Sequence, residues 1–214
     1  MRHFGQIDRQ ISLPIRYFGS VEYYATMGAY ARVVVDDTAR YDKRQKATHR
    51  MDIIDTHGVK SLTVPVSRPD NFSGQLHWNN IAISQHGQWW HVIAETLASA
   101  YGRTPFFEFY IDRLLPFFSS STSDEFQNVA TLCREVDIAI RTILGFDNEV
   151  IYASQSLDAD TMTSAIATSD IVQPHSVEYY QVRRDKFGFV PQLSILDLIF
   201  NMGPESAITL QKMI

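Results

Sequence analysis

The 214-residue chain holds a single cysteine, Cys133, so no internal disulfide can form. A reducing compartment, the cytoplasm, is the setting that suits such a chain. Nowhere do about 18 consecutive apolar residues occur, the length a spanning helix needs, so no membrane span is expected. The opening residues Met1 to Arg9 also lack the apolar stretch of a secretory signal. Positive charge is short as well: 19 Lys and Arg stand against 24 Asp and Glu, for a net charge of −5. That balance offers no field for duplex nucleic acid or an anionic bilayer, so no nucleic-acid partner is expected. Missing too are a Gly-rich phosphate loop, a G-x-G-x-x-G turn, a G-x-S-x-G elbow and an H-E-x-x-H helix. Several large enzyme classes thereby lose their usual signature. Seven histidines are scattered, and the closest pair worth weighing, His86 and His91, would stand about 140° apart around a helix rather than on one ligating face. Neither a metal nor a cofactor is expected.

What is present reads as a packed globular chain. Hydrophobic residues make up 45% and charged residues 20%, enough apolar surface for a sizeable core, and the length suits one domain over 1–214. Segments 13–18, 31–35, 51–54 and 62–66 are rich in β-branched and aromatic residues and read as strands. Asp55-Thr56-His57-Gly58 is a turn cluster that makes 50–66 a hairpin. Ser20 is placed to cap a short helix, with Glu22 in its first turn.

From His86 the period changes. Trp90, Ile93, Ala94, Leu97 and Tyr101 fall at helical spacing, with Gly102 where a left-handed cap is expected. Thr104-Pro105 reads as N-cap and N1 of a helix over 106–118, which Pro116 should end or kink. Phe126 to Ile143 repeats apolar residues at spacings of three and four up to Gly145, which predicts the longest helix. A strand over 149–153 leads into the polar segment 154–170, which reads either as an active-site loop or as a connection. Ser194 to Asp197 resembles a capping box opening a helix that Gly203-Pro204 ends, and a short helix follows. The class predicted is α+β, with an antiparallel or mixed sheet from the N-terminal half packed against helices mainly from 86–145 and 194–213.

The densest candidate for chemistry is Arg40 to Arg50, where Arg40, Lys43, Arg44, Lys46 and Arg50 put five cations, with His49, into an acidic chain. An anionic small molecule such as a nucleotide sugar or an acyl carrier would answer that charge, with Lys43, Arg44 and Arg50 as its ligands. Solvated charges paired with Asp36, Asp37 and Asp42 would answer it equally. His49 is a candidate base whose pKa the neighbouring cations depress, and Glu22 a candidate acid or base, although dipole stabilisation at a helix start explains Glu22 with less machinery. Trp89 to Tyr110 gathers aromatics around a helix corner, with Arg103 and Glu108 as polar exceptions that could contact a sugar. The same spacing suits a core. Cys133 falls on the apolar seam of the longest helix and reads as a buried, unreactive thiol.

Five segments in order then resemble one family. Leu13 to Tyr24, Tyr41-Asp42-Lys43-Arg44 with Thr48-His49-Arg50, Ser61 to Val66, Trp89 to Tyr110 and Gly188 to Asn201 are together similar to WbqC-like proteins, over about residues 13–210. His49 stands where that family more often shows Asn, which counts against a shared catalytic role for it, and Gly19 where Pro is common. The resemblance implies a place in bacterial surface-polysaccharide biosynthesis of the O-antigen type. The activity it implies is acyl or aminoacyl transfer to an amino sugar; the alternative is a non-catalytic accessory or scaffold in polysaccharide assembly.

Overall fold

In the computed structural model, which describes residues 7–69, 73–155 and 171–214, the chain opens with a strand–helix–strand unit. β1 (Ile7–Pro14), α1 (Val21–Ala29) and β2 (Tyr30–Asp36) follow one another, and the two strands pair in parallel with Leu13 opposite Val35. Ser20 caps α1 by accepting from the Tyr23 amide, as its side chain and position predict. The strand expected at 13–18 lies instead at 7–14. Ile15, Tyr17 and Phe18 are just as buried, but Phe18 takes a left-handed backbone, φ 44°, which no strand accommodates.

The hairpin forms as the turn residues dictate. β3 (Arg50–Asp55) pairs antiparallel with β4 (Gly58–Thr63), Asp55 opposite Gly58, and the Asp55 carboxylate accepts from the His57 amide across the turn. β5 (Val66–Ser67) and β6 (Ala82–Ile83) make a second, minimal antiparallel pair. Helices follow: α2 (Trp89–Tyr101), α3 (Phe107–Leu114), α4 (Thr122–Glu125) and α5 (Val129–Leu144). Gly102 is right-handed rather than left-handed; a Cβ there would stand 2.5 Å from the Ala98 carbonyl oxygen, so close approach is what it serves. Thr104 does not cap α3, because its hydroxyl donates back to Tyr101 O at 2.7 Å. Past Leu114 the chain tightens into a 3-10 turn at Pro116, as a ring without an N–H requires.

β7 (Glu149–Tyr152) then joins the far side of β2 in parallel, giving the order β1-β2-β7. Val33, Val34 and Val35 on the central strand are all buried, the unbroken apolar run of a strand covered on both faces. Residues 156–170 of the polar segment lie outside those described. The chain ends with α6 (Arg184–Phe187), α7 (Ile195–Met202) and α8 (Ser206–Gln211). Ser194 caps α7, but Asp197 does not complete a box: its buried carboxylate accepts from the Tyr179 hydroxyl and the Gln181 amide instead. A core from Ile11 to Met213 joins sheet, hairpin and helices, so the class is α+β with mixed sheets.

Candidate functional site

The loop leaving β1 is held by two other parts of the chain. Tyr17 N donates to Ala47 O at 3.1 Å, the Ser194 hydroxyl donates to Phe18 O at 3.0 Å, and Ile195 N donates to Gly19 O at 2.9 Å. In return Val21 N donates to Leu193 O, and Ser194 N to Asp52 O on β3. The capped starts of α1 and α7 are thereby clamped side by side against the hairpin. Between them lies a cavity of about 400 Å³, with Arg16, Phe18, Glu22, Arg50, Asp52 and Gln192 in its walls. An adjoining cleft shares Arg16, Arg50 and Asp52 and adds Arg44, Lys46 and Ser61. The position, beyond the carboxyl end of a parallel strand and at helix starts, is where open α/β units bind ligands and where helix dipoles favour anions.

The charges around this cavity are held apart. Arg16 is half-buried and, among the described residues, its guanidinium has neither a hydrogen bond nor an ion pair. Burial pulls its pKa below the ordinary arginine value, opposed by Tyr23 and Cys133 nearby. Arg50 Nε donates to Thr63 Oγ1 at 3.0 Å and is likewise joined to no carboxylate among the described residues. Glu22 Oε1 accepts from the Gln192 amide at 2.9 Å, while Oε2 is sealed from solvent without a partner. Asp52 Oδ1 accepts from the Ser61 hydroxyl at 2.5 Å. Phe18 and Gln192, at φ 44° and 61°, are the two non-glycine residues with positive φ among those described, and both line this cavity. Strained backbone concentrates at functional sites, where the surroundings hold it.

Of the residues singled out from sequence, Glu22 and Arg50 share the cavity and Arg44 borders the adjoining cleft. Arg44 is paired there with Asp42, its Nε at 3.2 Å from both carboxylate oxygens. Lys43 is exposed on the same loop and lines neither space. The aspartates nearest the cationic run are mostly engaged elsewhere: Asp36 accepts from Thr38, and Asp37 from Ser154. His49 is buried and lines neither space, with Nδ1 at 3.0 Å from Val64 O and its ring beside Trp78. Burial is the main cause lowering its pKa, and Lys46 and Arg50 add to it against the bond to Val64. Arg103 and Glu108 are exposed at the helix corner and lie in neither wall.

Trp89, Tyr101 and Phe107 of that corner belong to the core, with Trp90 and Tyr110 packed against it, whereas Phe109 is 73% exposed. Cys133 is buried, donates to Thr48 O, and has its thiol pKa pushed up by burial. Among the described residues no group of three or more His, Cys, Asp or Glu could hold a metal ion. Sequence reasoning passed over Arg16, Asp52 and Gln192 as site residues. Arg16 left a trace, as the one cation inside the apolar run Ile11 to Phe18. Gln192 left none, since its role is that of its backbone.

No curated protein and no solved structure matches the chain. The model of the WbqC-like protein family matches residues 16–173, which include the β1–α1 loop and the hairpin, while the Gly188 to Asn201 wall lies beyond the match. The chain belongs to the WbqC-like protein family.

Proposed function

We propose that the cavity binds a negatively charged small molecule, and that the protein is a transferase using an activated sugar or acyl donor in bacterial surface-polysaccharide biosynthesis. The observation that carries this is the half-buried Arg16 guanidinium, which among the described residues has no hydrogen-bond or ion-pair partner and lies beside Arg50 near two helix starts. A desolvated cation costs stability unless something answers it. Phosphate, pyrophosphate or carboxylate would answer it with charge-assisted hydrogen bonds from both arginines. Arg44 and Lys43, on the loop beside the cavity, extend the positive field toward a longer donor. The Glu22 carboxylate is the proton acceptor in this reading: the acceptor's amine forms the new bond to the donor's carbonyl or anomeric carbon, the bond to the carrier breaks and the carrier leaves with its electron pair, and Glu22 takes the proton. His49, Arg103 and Glu108 have no part in it. The proposed compartment is the cytoplasm, which keeps the lone Cys133 a thiol.

Calorimetric titration of UDP-glucose and inorganic pyrophosphate into the wild type, Arg16→Ala and Arg50→Ala tests the proposal. Each substitution should weaken binding by about tenfold or more. Arg16→Ala should leave the melting temperature equal or higher, because it removes an uncompensated buried charge. Equal binding by all three proteins, or no binding by the wild type, would sink it. A non-catalytic accessory role is the second reading, favoured by the exposed ring of Phe109. Capture of a polysaccharide-assembly partner that Phe109→Ala abolishes, with no turnover by the purified protein, would select it.

A further inference from the structure

We infer that the ligand of this cavity is bipolar, carrying a protonated primary amine within a few bonds of its phosphate or carboxylate. The inference rests on the anion reading above and deepens it. Two guanidiniums and two carboxylates border one space of about 400 Å³, yet among the described residues no ion pair joins Arg16 or Arg50 to Glu22 or Asp52. Long side chains of opposite charge in one cavity collapse onto each other unless something orients them. Here three of the four have their own restraint: Gln192 N for Glu22, Ser61 for Asp52 and Thr63 for Arg50. The restraint on Glu22 comes from a residue whose own backbone is strained, φ 61°.

The vacant groups also have opposite needs. Among the described residues Arg16 offers donors without an acceptor, and the Glu22 carboxylate in the cavity wall accepts from Gln192 N alone. A purely anionic ligand would satisfy the arginines and be repelled by Glu22 and Asp52. A ligand bearing an ammonium group as well would satisfy both sides at once, and an uncharged hydroxyl in its place would forgo the charge-assisted bond. The volume suits a hexose-sized molecule with one phosphate. Charge complementarity of this kind discriminates between ligands more than it adds raw affinity.

The decisive comparison is calorimetric titration of the full chain with glucosamine 1-phosphate and glucose 1-phosphate, below the pKa of the amine. The two differ only by an ammonium against a hydroxyl. The amine form should bind the wild type about tenfold more tightly, and both Glu22→Gln and Asp52→Asn should bring the ratio of the two Kd values toward one. Using two conservative variants guards against one failing to fold. A ratio near one in the wild type, or one that neither substitution moves, overturns the bipolar ligand. If both sugar phosphates then bind equally and Arg16→Ala weakens both, the anion reading survives alone. No binding of either overturns the bipolar ligand, and the pyrophosphate titration then decides the anion reading separately.

Discussion

Two residues in unfavourable backbone conformations frame the candidate site. Phe18 and Gln192 both have positive φ, a conformation that costs a residue with a side chain about 1–2 kcal/mol. Gln192 is the cleaner one to relieve, because Phe18 is also a buried ring stacked on Phe118. Gln192→Gly should raise stability by about 0.5–1 kcal/mol in urea unfolding, the relief of strain exceeding the added freedom of the unfolded chain. A lower stability would mean the Gln192 side chain packs more usefully than its exposure indicates. At this scale the sequence displays charge but not depth. His49 sits among Lys46 and Arg50 in sequence, and their effect on it is real, yet burial outweighs them. Its neighbours Val64 and Trp78, which create that burial, are 15 and 29 residues away.

Elements whose signals are local were legible. α5 repeats apolar residues on one face, so Cys133, Val136 and Ile140 are buried as their spacing predicts. Its start is set by Asn128, whose side chain accepts from Thr131 N at 2.9 Å, and its end by Gly145 at φ 69°. Asn128→Ala should cost about 1 kcal/mol, read as a lower urea midpoint at unchanged slope. The hairpin was legible for the same reason, since the partners of its turn are adjacent in sequence. The parallel pairing of β2 with β1 and β7 was not. β2 pairs with a strand more than 110 residues further along, and an apolar run of β-branched residues reads alike in a parallel strand or an antiparallel one. The same blindness turned Ile15 to Phe18, a buried loop, into an expected strand.

Across the whole molecule, one buried carboxylate ties the late segments together. Asp197 on α7 accepts from the Tyr179 hydroxyl at 2.7 Å and from Gln181 Nε2 at 2.9 Å, and Gln181 in turn holds Val190 through both its amide atoms. Asn201 adds a bond to the Val182 amide. This network fixes the chain that ends in Gln192 and so sets one wall of the cavity. Burial raises the Asp197 pKa above the ordinary carboxyl value, and the hydrogen bonds oppose that rise. The folded state therefore holds this proton to higher pH than the unfolded chain does. The associated stability is full below the unfolded value, about 4, and is lost as pH rises through the folded value. Relative to Asp197→Asn, the wild type should thus lose stability from about pH 4 upward, which urea titrations at stepped pH will read. A constant difference between the two proteins would refute the shift. The sequence by itself determined the helices with strong periodicity, the capped starts at Ser20 and Ser194 and the hairpin turn, because each depends on residues within a few turns of one another, and the family resemblance, because it rests on residue identities in order along the chain. Only the tertiary structure decided that Arg16, Glu22, Arg50 and the backbone of Gln192 share one cavity. Which charges are buried, and which lack partners, follows from how segments as far apart as residues 16 and 192 pack, and no local pattern encodes that.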